Sequence, residues 1–436
     1  MTLHVSRRRT TAAGALAATT MILLAGCSGA GDSGSNGSNG AAGSDGPDGA
    51  IEVVSTADEC TVSTDSVDSG NHTFHVKNEG EKITEFYVLG SDGLRIVSEK
   101  ENIAPGASAD LSVTLSPGDY FTACKPGLRG ANVGQTAFTV TGEAIPVDAS
   151  EQERYDEAVK SYVDFVKNEV AALVPGVGDF ADAYIAGDDD RARELYANVR
   201  VHYERIEPLA ESLGSLDPRI DYREVDYLAE ADQLEADDPT FTEWLGFHRM
   251  EKDLWQPKED ERNADGTPAR EGWEPSSPED RKRIGEALKA DVDKLYDTVH
   301  ADGFIEAQDI NISTVSNGAI GLLEEVAVTK VTGEENWWSH YDLWDFQANL
   351  QGSRIAYDLV RPIAESKGEE GKKLVEDIDR RFDELQELLD EYGNLEEGYV
   401  LYDTVDAAGQ AELTRKIDAL REPLSRLTGT VLSISE

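Results

Sequence analysis

Residues 151–174 read EQERYDEAVKSYVDFVKNEVAALV. Tyr155, Val159, Tyr162, Val166, Val170 and Leu173 recur at spacings of three and four, the period that lines up one apolar stripe along an α-helix. Downstream the same pattern returns at roughly 188–213, 224–235, 240–254, 278–300, 302–330, 338–366, 369–392 and 403–427, with Gly or Pro between the segments. Together they predict a multi-helix bundle over residues 151–436. The polar stretch 256–277, rich in Pro, Gly and charge, reads as a surface loop between helices. No tandem repeat of fixed period interrupts the pattern.

Upstream of an eight-residue acidic link the pattern changes. From Ile51 to Gly142 short β-type runs such as HTFHVKN, TEFYVLG, ADLSVTLS and TAFTVTG alternate with turns. Pro-Gly pairs fall at Pro105-Gly106, Pro117-Gly118 and Pro126-Gly127. High strand propensity at this spacing predicts one small all-β sandwich over residues 51–142. The chain is therefore multidomain, β first and α second.

The first residues are an address. Residues 1–26 carry Arg7, Arg8 and Arg9 and no acid, then an apolar run from Ala12 to Ala25, the n-region and h-region of an export signal. Leu24-Ala25-Gly26-Cys27 matches a bacterial lipobox, in which Cys27 becomes the acylated first residue. Residues 27–50, rich in Gly, Ser, Asn and Asp, supply the flexible tether that an anchored protein needs. The expected location is extracytoplasmic, lipid-anchored to the outer face of the cytoplasmic membrane.

The 436 residues include 40 Lys+Arg against 86 Asp+Glu, a formal charge of −46. Such a chain lacks the basic footprint of general nucleic-acid binding, and cations or basic surfaces are its natural partners. A solvated acidic surface that keeps an exported protein soluble is the alternative for many of these carboxylates.

Placement separates the two readings. In GFHRMEKDLW (246–255) His248 and Glu251 stand three apart, so on a helix an imidazole nitrogen and a carboxylate can converge on one cation. In YERIEP (203–208) Glu204 and Glu207 share a face where Pro208 has no N–H for the carbonyl of Glu204; either the acids serve a site or Pro208 simply ends the helix with both solvated. Asp221, in DPRIDYRE, is expected to reach the same cavity. Glu324, Glu325, Asp342 and Asp345 are further acids beside apolar residues. Neither H-E-x-x-H nor H-x-x-E-H occurs, so the usual two-histidine zinc peptidase helix is missing. A site dominated by carboxylates suits a hard or borderline cation, iron before copper or structural zinc.

In the β region two readings stay open. Cys60 and Cys124 are either a disulfide, as exported proteins favour, or a soft-metal site with Glu85 and Glu101 as oxygen ligands. Blue copper needs two His and usually an axial Met around the Cys. Only His72 and His75 lie in this region, and Met250 is the sole Met after the signal.

The motifs ENIAPG, LSPGDY and the paired Cys, with YERIEP, LDPRID, GFHRMEKDLW, VTGEE and DLWDFQANLQG, resemble the imelysin (peptidase M75) family in its EfeO form. The resemblance spans almost the whole chain after the signal. It implies a cupredoxin-like β domain, an imelysin-like helical domain and a protein that captures ferrous or ferric iron. The implied partners are an EfeU-like membrane permease, to which iron is delivered, and an EfeB-like haem peroxidase. It also implies metal ligation by His248, Glu251, Glu204, Glu207 and Asp221 in the helical domain, and by Cys60, Glu85, Glu101 and Cys124, holding copper or ferric iron, in the β domain. Zinc is a further candidate ion. The rival readings are a metal-dependent enzyme, either a ferroxidase or a metallopeptidase, and an alginate-type polyanion binder, which a chain of this charge would repel unless cations bridge the two.

Overall fold

The computed structural model describes residues 50–91, 93, 96–127, 132–142, 149–231, 243–263, 266–328 and 330–434. The signal, the lipobox at Cys27 and the tether lie outside the described residues. Strand propensity and period-two burial build the N-terminal region. Its strands are β1 (Ile51–Ser55), β2 (Cys60–Val62), β3 (Ser66–Asp68), β4 (Gly70–Asn78), β5 (Thr84–Leu89), β6 (Ile96–Ile103), β7 (Ser108–Leu115), β8 (Gly118–Cys124) and β9 (Val133–Thr141). They form a four-stranded sheet in the order β2-β1-β4-β7 and a five-stranded sheet in the order β3-β9-β8-β5-β6. β1 runs parallel to β4 and β3 to β9, and the other pairings are antiparallel. Along β7, Leu111, Val113 and Leu115 are buried while the residues between them are only partly covered, the alternation of a half-buried strand. Phe74 of the first sheet meets Phe86 and Phe138 of the second at centroid distances of 5.2 and 5.6 Å.

Cys60 on β2 and Cys124 at the end of β8 are joined as a disulfide across the two sheets, with Cα atoms 5.4 Å apart. This corrects the soft-metal reading of the β region, since sulfurs bonded to each other offer no thiolate. Strand alternation removes the proposed oxygen ligand Glu85 as well. Phe86 pairs with Cys124 in the buried core, so the neighbouring Glu85 points to the opposite face of β5, where it accepts a hydrogen bond from the Tyr87 hydroxyl. Glu101 lines a cleft shared with Glu324 and Glu325 of the helical region.

The helical region comprises α1 (Ala149–Ala186), α2 (Asp189–Glu204), α3 (Glu207–Glu211), α4 (Leu216–Asp221), α5 (Glu224–Ala231), α6 (Gly246–Leu254), α7 (Pro278–Val299), α8 (Phe304–Ala307), α9 (Ile312–Val328), α10 (Asp342–Glu365), α11 (Glu369–Asp390), α12 (Ala407–Leu424) and α13 (Leu427–Leu432). Local chemistry fixes several starts. Asp188 accepts from the N–H of Arg191, Ser277 from that of Asp280 with Pro278 next in line, and Asp406 from that of Gly409.

Three boundaries differ from expectation. The first helix does not stop near 174 but runs through Pro175, because its buried stripe continues in Val177, Phe180, Ala181 and Tyr184. The segment 302–330 is two helices, divided where Asp309 takes a positive φ of 50° and Asn311 caps Ser313. The segment 188–213 breaks at Arg205 and Ile206, just ahead of Pro208.

The described residues of the β and helical regions form one compact unit, and α9 closes one edge of the β region. The N–H of Thr114 on β7 donates to Ser313 Oγ at 3.1 Å, and Asn317 Nδ2 reaches Ser98 Oγ and the Ser112 carbonyl at 3.0 Å each. Side chains of a helix thus satisfy backbone groups that a sheet edge would otherwise expose. Lys100 of β6 pairs with Glu324 of α9. A cleft of about 980 Å³ lies between the two regions, lined by Glu99, Glu101, Glu324 and Glu325 among others.

Candidate metal centre

Three short backbone features aim the site. Pro208 stops α2 at Glu204, and the carbonyl of Glu204, left without a helical donor, accepts instead from Asn349 Nδ2 of α10 at 2.9 Å. The same amide group stands 3.2 Å from Glu204 Oε2 and 3.1 Å from Glu207 Oε2. Gly352 lets α10 approach this break, since a Cβ there would collide with the Arg205 carbonyl. Gly246 opens α6 at a φ of +85°, and a Cβ on it would collide with the carbonyl of Ile220. Only glycine meets both demands, so α6 lies against the end of α4 and His248 comes beside Asp221.

The result is a buried nest of carboxylates around one imidazole. His248 Nε2 lies 3.5 Å from Asp221 Oδ1 and 3.4 Å from Glu335 Oε1. Ligand atoms of Asp221, His248 and Glu335 all fall within 4.8 Å of one another, as do those of Glu204, Glu207, Asp221 and Glu335. Arg200 bridges Glu204, Asp221, Glu335 and Asp345. Lys330 Nζ lies 2.7 Å from Glu204 Oε2 and 2.8 Å from Glu207 Oε2. The acids expected to be solvated if Pro208 merely ended a helix are buried, Glu204 at 0% and Glu207 at 5% exposure.

Glu251 has a different part from the one its spacing suggested. Its Oε1 accepts from the backbone N–H groups of Trp338 and Ser339 at 3.1 and 2.8 Å and from Ser339 Oγ at 2.8 Å. Its Oε2 lies 3.0 Å from His248 Nδ1. A carboxylate fixed this way orients the ring and directs Nε2 outward, the arrangement that typically supports a metal-bound histidine. His248 Nε2 is buried and makes no hydrogen bond, as do Asp345 Oδ1 and Asn349 Oδ1. The two oxygens are buried acceptors without donors, a costly state that a bound cation would relieve.

Electrostatics agree with that fit. Burial raises the carboxyls of Glu207 and Asp345 well above the usual range, with the neighbouring acids adding to the effect against Lys330 and Arg200. Asp221 is raised for the same reason, and Asp342 to about 7. Glu335 goes the other way, because Lys330, His248 and Arg223 outweigh its burial. Burial and Arg200 depress His248, but Asp221, Glu251 and Glu335 win and lift it to about 10. The raised carboxyls favour holding protons, Arg200 and Lys330 offset part of the remaining negative charge, and a polyvalent cation competes with both. A pocket of about 390 Å³, lined by His248, Glu251 and Glu335 with Trp244, Trp337 and Trp338, adjoins it.

Comparison with known proteins fits this geometry. The Peptidase_M75 family, described as imelysin, matches residues 158–427. The "Iron uptake system component EfeO" of Escherichia coli (strain K12) is 36% identical over 379 residues, covering 86% of this chain and 90% of its own. The chain belongs to the EfeO-type imelysin family. The protein of the same description in Shigella flexneri matches this imelysin chain to the same extent. A solved structure described as a precursor of an iron-regulated protein A, from Parabacteroides distasonis ATCC 8503, aligns with a TM-score of 0.42 at 17% identity, over 66% of this chain and 96% of that one.

The structure brings His248, Glu251, Glu204, Glu207 and Asp221 of this imelysin chain together. It adds four residues that no local motif singled out: Glu335, Arg200, Lys330 and Asn349. Glu335 stands in the VTGEE motif and Asn349 in DLWDFQANLQG, so the resemblance marked their neighbourhoods without marking them.

Proposed function

We propose that this chain is the extracytoplasmic iron-binding component of an EfeUOB-type uptake system, held to the membrane by a lipid on Cys27. It captures iron in the nest and delivers it to an EfeU-like permease, with an EfeB-like haem peroxidase as third partner. The observation that carries this reading is the buried Nε2 of His248, which makes no hydrogen bond and faces the carboxylates of Asp221 and Glu335 at 3.5 and 3.4 Å, in a chain whose relatives are named as iron-uptake components. Iron is the cargo here. Nε2 and the oxygens of Asp221, Glu335, Glu204 and Glu207 would hold it, and an oxygen-rich set with one imidazole suits ferrous or ferric iron.

Binding proceeds by exchange of charge. Nδ1 stays bonded to Glu251, Nε2 gives up its proton, and the raised carboxyls give up theirs as the ion enters. Among the described residues no helix is long and apolar enough to cross a membrane. We read the β region as a cupredoxin-like sandwich that positions the helical domain and, with its disulfide closed, carries no thiolate site. A peptidase reading is disfavoured by Glu251, whose carboxylate is committed to Trp338, Ser339 and His248 and so is poorly placed to activate water.

Anaerobic loading of the mature chain with ferrous iron, followed by elemental analysis, tests the proposal. One equivalent retained after desalting is the expected result. A chain that retains none is not an iron carrier.

A further inference from the structure

We propose that Lys330 is a tethered cation that occupies the carboxylate nest and must withdraw when iron enters, so that exchange between its ammonium group and the metal sets the affinity. This rests on the reading of the nest as the iron site. Lys330 is fully buried. Its Nζ lies 2.7 Å from Glu204 Oε2, 2.8 Å from Glu207 Oε2, 3.5 Å from Glu325 Oε1 and 4.0 Å from Glu335 Oε1. Glu204, Glu207 and Glu335 belong to the same four-carboxylate group that can converge on one ion. An ammonium hydrogen-bonded to these oxygens and a metal coordinated by them compete for the same lone pairs.

Arg200, the other buried cation, is built differently. Four carboxylates grip its planar guanidinium, which also lies 5.8 and 5.5 Å from the ring centroids of Tyr196 and Phe247. Such a group is a brace. Lys330 instead carries a compact charge on a flexible stem, on a single 3₁₀ turn, Lys330–Thr332, followed by Gly333 at a φ of +77°. Glu325 stands outside the four-carboxylate group and lines the cleft toward the β region. It is the carboxylate toward which a displaced Lys330 can turn. The exchange keeps the empty nest from standing as bare charge and returns a cation to it as iron leaves, which makes the site releasable.

Calorimetric titration of the full mature chain with ferrous iron under nitrogen reads the inference directly. Lys330→Met is expected to bind iron about tenfold tighter or more, at unchanged stoichiometry, and to surrender it more slowly to a chelator. Equal or weaker affinity would overturn the inference. If the variant does not fold, the wild-type chain still decides. Acetic anhydride labelling of Lys330, read by peptide mass spectrometry, should run several-fold faster with iron bound, and a rate unchanged or lowered by iron would overturn it. Failure of the site reading looks different: the wild-type chain then takes no iron, or His248→Ala takes as much as wild type. Iron binding that needs His248 but is not tightened in Lys330→Met, or not accompanied by faster labelling, removes only the role of Lys330.

Discussion

At the scale of single residues the nest divides labour between groups that sequence spacing treats alike. His248 and Glu251 look like a pair of ligands at i and i+3, yet three donors from Trp338 and Ser339 hold Glu251 Oε1. Glu335 stands on the open side of the ring. Glu335→Gln and Glu251→Gln should therefore differ in kind. The first removes a charged ligand and should lose the iron. The second should keep stoichiometry and weaken affinity by about 10–100-fold, the usual cost of losing an orienting partner. Titration of both variants beside His248→Ala checks this, and equal losses would contradict it. His248, Asp221, Glu204 and Glu207 were legible because an imidazole among acids and a proline behind two carboxylates stand out locally. Glu335, Arg200 and Lys330 were not, because their meaning comes from partners 135 and 126 positions away. No local period signals an arginine buried among four acids.

At the scale of elements the site depends on where helices stop. The bundle, the β region and most helix cores followed from periodicity, but ends decided by competing terms did not. Pro175 failed to end α1 because the stripe beyond it buries too much apolar surface, whereas Pro208, with Asn349 ready to take the orphaned carbonyl, succeeded. Gly246 is the most sensitive hinge of this arrangement. Gly246→Ala should destabilise the fold by about 1–3 kcal/mol through strain at positive φ and contact with Ile220, and should weaken iron binding as α6 shifts. Denaturant unfolding and titration on the same sample measure both. In the β region, Cys124→Ser should cost about 2–4 kcal/mol by releasing a crosslink while leaving the bound iron unchanged. Loss of iron in that variant would restore a metal role to the cysteines.

At the scale of the whole molecule, the excess of acid is distributed unevenly, with a second concentration in the cleft between the β region and α9. Glu99 there is pushed up to about 8, by burial first and then by Glu85, Glu324 and Glu325. In the folded chain it holds a proton that the unfolded chain, with an ordinary value near 4.5, has already released. Its contribution to stability is therefore complete below the unfolded value and is lost as pH rises through about 8. Glu99→Gln should raise the melting temperature by a few degrees at pH near 9 and leave it unchanged near 5. Calorimetric scans at the two pH values read this, and equal shifts at both would contradict it.

The claim on which the account depends is that one ion sits between His248 Nε2, Asp221 and Glu335. Crystals of the mature chain loaded with ferrous iron, with diffraction recorded on both sides of the iron absorption edge, locate the metal without reference to any variant. The account predicts one anomalous peak within coordinating distance of His248 Nε2 and the facing oxygens of Asp221 and Glu335, with Glu251 bonded to Nδ1 and not to the metal. Iron found in the cleft near Glu99 and Glu101, or on the surface carboxylates alone, would contradict it.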